Sequence, residues 1–217
     1  QVRPWTPKEE LSGEKESIGS FLSGHPIEEY EQEIRKFAPR KIRELQADNA
    51  TTVAGLIVDV RTIKTQRGVM AVVRLDDNSG QIESTVYAET FSDNRELLVK
   101  DRIVLIEGRV QQDDFSGGLT LRAKEIRSLE AARQSGVREI RLTIESGRYT
   151  QAFQQQLKES LTAAECGRCG VSIDYRQPRA QACIQLGERW RVMPSDALLD
   201  QLRGVVGGAG VALIYEN

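Results

Sequence analysis

The sequence predicts an α+β protein: a short helical N-terminal segment, a five-stranded β-barrel, then a small βαββαβ domain. Three observations carry this reading. Strand-type alternation runs through residues 51–129 and is interrupted once by a helical stretch, in the order strand, strand, strand, helix, strand, strand. Residues 137–215 give strand, helix, strand, strand, helix, strand. Ahead of both, Ile27, Tyr30, Ile34 and Phe37 recur at helical spacing. The expected divisions are 1–50, 51–130 and 131–217.

In the N-terminal segment, residues 14–22 read as a short helix stopped by Ser23-Gly24, and Pro26 suits a first helical position, where its missing N–H is no loss. A helical hairpin therefore precedes the barrel. Residues 38–50 read as a connector with room for one helical turn. In the barrel, residues 53–63 and 70–75 flank the basic loop Lys64-Thr65-Gln66-Arg67-Gly68. Asp76-Asp77-Asn78-Ser79-Gly80 is a turn, since Asp and Asn tolerate left-handed backbone and Gly adopts it without steric cost. Residues 82–87 form the third strand, 89–99 a helix whose Leu97 and Leu98 can plug an open end, and 102–110 and 119–129 the last two strands. This is the order of the OB-fold, a Greek-key barrel that binds oligonucleotides across strands two and three and the adjoining loops.

Beyond the barrel, residues 149–164 are helical with Phe153, Leu157 and Leu161 on one face, and 171–175 with 180–186 form a hairpin around Gln177-Pro178. Ser195 caps a second helix carrying Leu198, Leu199 and Leu202, Gly207-Gly208 stops it, and 211–215 is a closing strand. The order is that of a ferredoxin-like domain.

Composition narrows the function. A net charge of −2 over 217 residues excludes a globally basic polyanion binder, so any nucleic-acid contact comes from a local patch. Three cysteines, an odd number, argue for a reducing, cytoplasmic setting rather than a disulfide framework. No apolar run reaches membrane-spanning length. The chain opens on Gln rather than Met and without an obvious domain start, as a piece of a larger protein would.

No constellation of catalytic type stands out: no nucleophile with a base, no phosphate-cradling glycine loop, no complete metal set. His25, the only histidine, lies between Gly24 and Pro26 and reads as a structural or capping residue. Asp76-Asp77 and Asp113-Asp114 read as turn formers. Cys166-Gly-Arg-Cys169 has the spacing of half a zinc site, with only Cys183 nearby, and reads as a helix end and turn. No metal and no cofactor are expected.

Nucleic-acid contacts are the sharper possibility. In the last barrel strand Leu119, Leu121 and Ala123 point inward by alternation, leaving Thr120, Arg122 and Lys124 outward. Arg61 and Arg74 fall on the polar side of the first two strands. With Lys64 and Arg67 from the first loop these cations can line one groove, and Phe115 in the loop 111–118 offers a ring for base stacking. The alternative is ordinary solubilising surface, with Phe115 folded over the barrel's end beside Asp113 and Asp114.

The residues also resemble a known family. Ser20-Phe21-Leu22-Ser23-Gly24-His25-Pro26-Ile27, the Lys64–Gly68 loop with Leu75-Asp76-Asp77-Asn78-Ser79-Gly80, Asp113-Asp114-Phe115-Ser116-Gly117-Gly118-Leu119 and Trp190-Arg-Val-Met-Pro-Ser-Asp196 are similar to the C-terminal part of the bacterial replicative DNA polymerase III alpha subunit. The resemblance implies a non-catalytic region of a DNA-directed DNA polymerase whose active site precedes Gln1. Its OB domain would contact single-stranded template DNA, and its last domain would dock the clamp-loader tau subunit in the replisome. The family's sliding-clamp motif is expected before Gln1, because Gln46-Ala-Asp-Asn-Ala50 lacks a large apolar last residue and Gln111-Gln-Asp-Asp-Phe115 is charged where apolar bulk is needed. Two other readings are a purely protein-interacting module with the barrel as spacer, and an anticodon-binding OB domain like that of a tRNA synthetase.

Overall fold

A computed structural model describes residues 24–113, 117–145, 147 and 150–216, and the chain divides into two compact units at Leu129/Glu130. The expected helix over 14–22, and with it Ser20 to Ser23, lies outside the described residues, as do Asp114 and Phe115.

In the first unit, a 3-10 turn at Glu28–Tyr30 leads into helix α1 (Glu31–Phe37), and a single 3-10 turn, Ile42–Glu44, interrupts the connector. Five strands, β1 (Ala50–Thr65), β2 (Gly68–Asp76), β3 (Gln81–Val86), β4 (Ile103–Gln112) and β5 (Leu119–Ser128), close into a barrel in the order β1-β2-β3-β5-β4, with helix α2 (Ala88–Asp93) between β3 and β4. β1 is long because it serves two neighbours. Its first half pairs with β4, its second with β2, and a register shift between Ile57 and Asp59 turns it from one to the other. Interior side chains alternate as expected: Val53, Ile57, Ala71, Val73, Leu75, Val86, Val104, Ile106, Val110 and Leu121 form the core, and Leu98 joins it from beyond α2. Leu119 does not. It pairs with Gln112 where the β4–β5 hairpin reaches past the core, and stays 37% exposed.

The acidic turn after β2 fastens the connector to the barrel. Asp77 accepts hydrogen bonds from the N–H of Ser79 (2.8 Å) and Gly80 (3.1 Å) through one oxygen and from the N–H of Ile42 (2.8 Å) through the other. Asp76 accepts from the N–H of Asn78 (2.8 Å) and lies 3.4 Å from Nε2 of His25, whose Nδ1 accepts from the N–H of Ile27 (3.2 Å). The Gly24-His25-Pro26 turn is thereby tied to the barrel's own turn.

The second unit begins with helix α3 (Leu129–Gly136), which the alternation pattern did not reveal. It continues through β6 (Val137–Glu145), α4 (Gln151–Ala163), β7 (Cys166–Gln177), β8 (Ala180–Gln185), α5 (Asp196–Val206) and β9 (Val211–Tyr215). Thr150 and Ser195 cap α4 and α5, their hydroxyls accepting from the N–H of Phe153 (3.1 Å) and Leu198 (3.3 Å). Gly207, at φ 89°, ends α5. Phe153, Leu157 and Leu161 pack with Leu198, Leu199 and Leu202 over the sheet.

The class and, after α3, the βαββαβ order are as expected, but the sheet is not ferredoxin-like. Its order is β8-β7-β6-β9, with β6 and β7 adjacent and parallel, whereas a split βαβ places another strand between them. The reason lies in β8: all six residues of Ala-Gln-Ala-Cys-Ile-Gln are exposed. A strand with no buried face cannot take the central place, and β8 sits at the edge.

Cys166 opens β7 rather than ending a helix, which corrects the expected helix end and turn. Cys166 and Cys169 both bridge to Val192, and a Cβ on Gly167 would lie 2.4 Å from the Val192 carbonyl oxygen. The glycine between the two cysteines is there for backbone approach. Among the described residues no group of three or more His, Cys, Asp or Glu is placed to hold a metal. Burial pushes the Cys169 thiol up to about 11, while Cys166 and Cys183 are exposed. A thiol-specific chromogen should therefore titrate two cysteines rapidly in the native chain and the third only after denaturation. Rapid reaction of all three would contradict this packing.

Candidate nucleic-acid interface

The barrel's registers lay its outward side chains out in rows across the strands. One row reads Arg61 (β1), Val72 (β2), Thr85 (β3), Arg122 (β5), Arg109 (β4). On one side lies the row Asp59, Arg74, Glu83, Thr120. On the other, Ile63 pairs with Met70, and the Ala71–Val86 pairing sets Tyr87, one residue beyond β3, beside Met70. Ile63 and Tyr87 are 46% and 45% exposed. A row of cations thus runs beside an apolar and aromatic row on one curved face.

Two features set its electrostatics. Glu83 accepts from both Arg61 (2.5 Å) and Arg74 (3.0 Å) through one oxygen, so a single carboxylate holds two guanidinium groups. The guanidinium of Arg122 lies 4.8 Å from the centroid of the Tyr87 ring. Arg122 also sits directly opposite Arg109, whose guanidinium lies 3.8 Å from Asp48, an exposed carboxylate that a phosphate would replace.

The candidate residues from sequence are therefore distributed unevenly. Arg61, Arg74 and Arg122 share the face. Lys64 pairs with Val69 on the opposite side of the projecting β1–β2 ribbon from Ile63, and Arg67 occupies its tip. Lys124 lies farther along β5 and donates to Glu107 (3.1 Å). Phe115 lies outside the described residues. Glu83, Tyr87, Ile63 and Arg109 were not singled out from sequence. Only the period-two alternation of β3 and β4 hinted at Glu83 and Arg109, because the register that brings them to Arg61 and Arg122 is a property of the closed barrel.

The barrel has the OB-fold, and a family model described as an OB-fold nucleic acid binding domain matches residues 51–129. A second, described as the C-terminal domain of DNA polymerase III subunit alpha, matches residues 156–207. The DNA polymerase III alpha subunit of Pseudomonas aeruginosa is 44% identical over 99% of this chain, that of Vibrio cholerae 37% over 99%, and that of Escherichia coli K12 33% over 99%. The chain belongs to this family and corresponds to its C-terminal region; it spans 18–19% of the length of these relatives.

Proposed function

We propose that the barrel holds single-stranded DNA on its outer face and that the C-terminal unit docks the clamp-loader tau subunit, within a replicative DNA polymerase whose catalytic machinery lies in other parts of the protein. The observation that carries the first half is the pairing of the two rows. Arg61, Arg122 and Arg109 follow phosphates, while Tyr87, Met70 and Ile63 receive base faces, each stacked base contributing about 1–3 kcal/mol. Arg74 joins the phosphate track when Glu83 releases it. Lys64, Arg67 and Lys124 add longer-range attraction from the ribbon and from β5, and Phe115 is a further stacking ring. The family match over residues 156–207 supports the second half.

Fluorescence anisotropy with labelled oligo-dT across a salt series tests the barrel. Micromolar affinity is expected at low salt, falling steeply as salt rises. The double variant Arg61→Glu/Arg122→Glu should weaken binding by roughly tenfold or more and flatten the salt dependence. Glu83→Gln should act in the other direction. It removes the carboxylate shared by Arg61 and Arg74, leaving Arg61 only its 3.5 Å pairing with Asp59, and should tighten binding by roughly threefold at low salt, with the gain vanishing at high salt. An affinity that Glu83→Gln leaves unchanged, beside an inert double variant, would show that this face does not carry the strand. Absence of any binding at low salt would leave the barrel as a spacer.

A further inference from the structure

We infer that a groove on the C-terminal unit, between the second half of α4 and the 3-10 turn Glu188–Trp190, receives an acidic segment of a partner protein. This deepens the docking reading above and rests on it. The groove's floor is apolar: Leu161 is buried, and Ala164 and Trp190 pack against the core of the unit. Its rim carries Lys158, Arg189 and Arg191, and no carboxylate is among the described residues that line it. Glu188, 92% exposed, lies 3.8 Å from Arg191, a solvent-screened pair that a desolvating ligand would displace.

The wall is fixed through its backbone. Met193 donates its N–H to the Glu165 carbonyl (2.8 Å), Val192 bridges to Cys166 and Cys169, and Gly167 leaves no space between the two segments. Three cations are therefore presented from a rigid frame beside an apolar floor. That calls for carboxylates flanking an aliphatic or aromatic anchor.

Nucleic acid fits less well. Trp190 packs against the core of the unit, whereas Tyr87 on the barrel is 45% exposed, and the rest of the floor is aliphatic, so the groove offers a base little ring surface. The family match over residues 156–207 spans every residue of the groove.

The test uses the whole chain and the clamp-loader tau subunit as probe, with affinity read by surface plasmon resonance. Lys158→Glu/Arg189→Glu/Arg191→Glu should weaken tau binding more than tenfold. Lys158→Arg/Arg189→Lys/Arg191→Lys, which keeps the charge, should stay within about threefold. Circular dichroism melts of both variants matching the parent establish that each is folded. Labelling exposed Cys166 in a Cys183→Ser background gives an independent readout: tau should protect it. Tau binding that survives charge reversal, with Cys166 unprotected, overturns the groove and leaves the docking reading standing. No tau binding by the parent chain overturns both. Loss of oligo-dT affinity on charge reversal, with tau affinity intact, makes the groove a nucleic-acid site and also overturns the inference.

Discussion

Replacing Arg133 with alanine should destabilise the C-terminal unit by about 2–5 kcal/mol, the range for emptying a large buried site, since Asp196, its 48% exposed partner, regains water. Arg133, on α3, is 1% exposed overall, the largest fully buried side chain in the described structure. Its Nη1 donates to Asp196 Oδ1 (2.6 Å) and to the Pro194 carbonyl (3.3 Å). Asp196 is the first residue of α5, so one guanidinium joins α3 to the start of α5. Truncation loses the ion pair, leaves the Pro194 carbonyl short of a donor and opens a cavity. The melting temperature of the unit should fall by on the order of 15 °C, and amide exchange across α5 should accelerate. Arg133→Met fills the space without the charge and should recover part of the loss. A fall under about 3 °C for the alanine variant would mean that the pair contributes little beyond its own desolvation cost.

Arg133 also illustrates what a sequence conceals. It sits in a short stretch, Leu-Glu-Ala-Ala-Arg-Gln-Ser-Gly, whose polarity suggests a connector, and only the folded partner sixty residues on makes it core. The barrel was legible because its strands alternate and their order belongs to few folds. α4, α5 and the Ser195 cap were legible for the same local reason, while the Thr150 cap of α4 was not singled out. Pairing was not. βαββαβ fits both a split and an adjacent arrangement, and the choice falls to β8, whose single large apolar side chain, Ile184, is too little for a central strand and stays 51% exposed. The binding face divides in the same way. Outward cations on β1, β2 and β5 follow from alternation, but Glu83 and Tyr87 acquire meaning only through the β2–β3 and β3–β5 registers. These registers place Glu83 beside Arg74 and bring β5 alongside β3. Lys64 shows the reverse error. Loop membership suggested one face, while a ribbon that projects past the barrel exposes both of its sides.

Gly108 should tolerate no side chain, and its substitution should disturb stability and the binding face together. A Cβ there would fall 2.2 Å from the carbonyl oxygen and 2.9 Å from the carbonyl carbon of Arg122. Both are backbone atoms of the facing strand and cannot rotate away. The site lies at the register shift between Glu107 and Gly108. Gly108→Ala must force the two strands apart, at a cost on the order of 3 kcal/mol or more. The residue it displaces carries the guanidinium stacked on Tyr87, so oligo-dT affinity should drop even at temperatures where the variant remains folded. Gly204→Ala is the matched control: the same added methyl, on an exposed position inside α5 with nothing within 4 Å of the new Cβ. It should stabilise by roughly 0.5–1 kcal/mol, because alanine loses less backbone freedom than glycine in a helix. Opposite signs for one chemical change, read by thermal melts of the two variants side by side, would locate the barrel's tightest backbone approach at β4–β5. Equal effects would place the closure elsewhere, and a destabilised Gly108→Ala barrel with full DNA affinity would detach Arg122 from the proposed phosphate track.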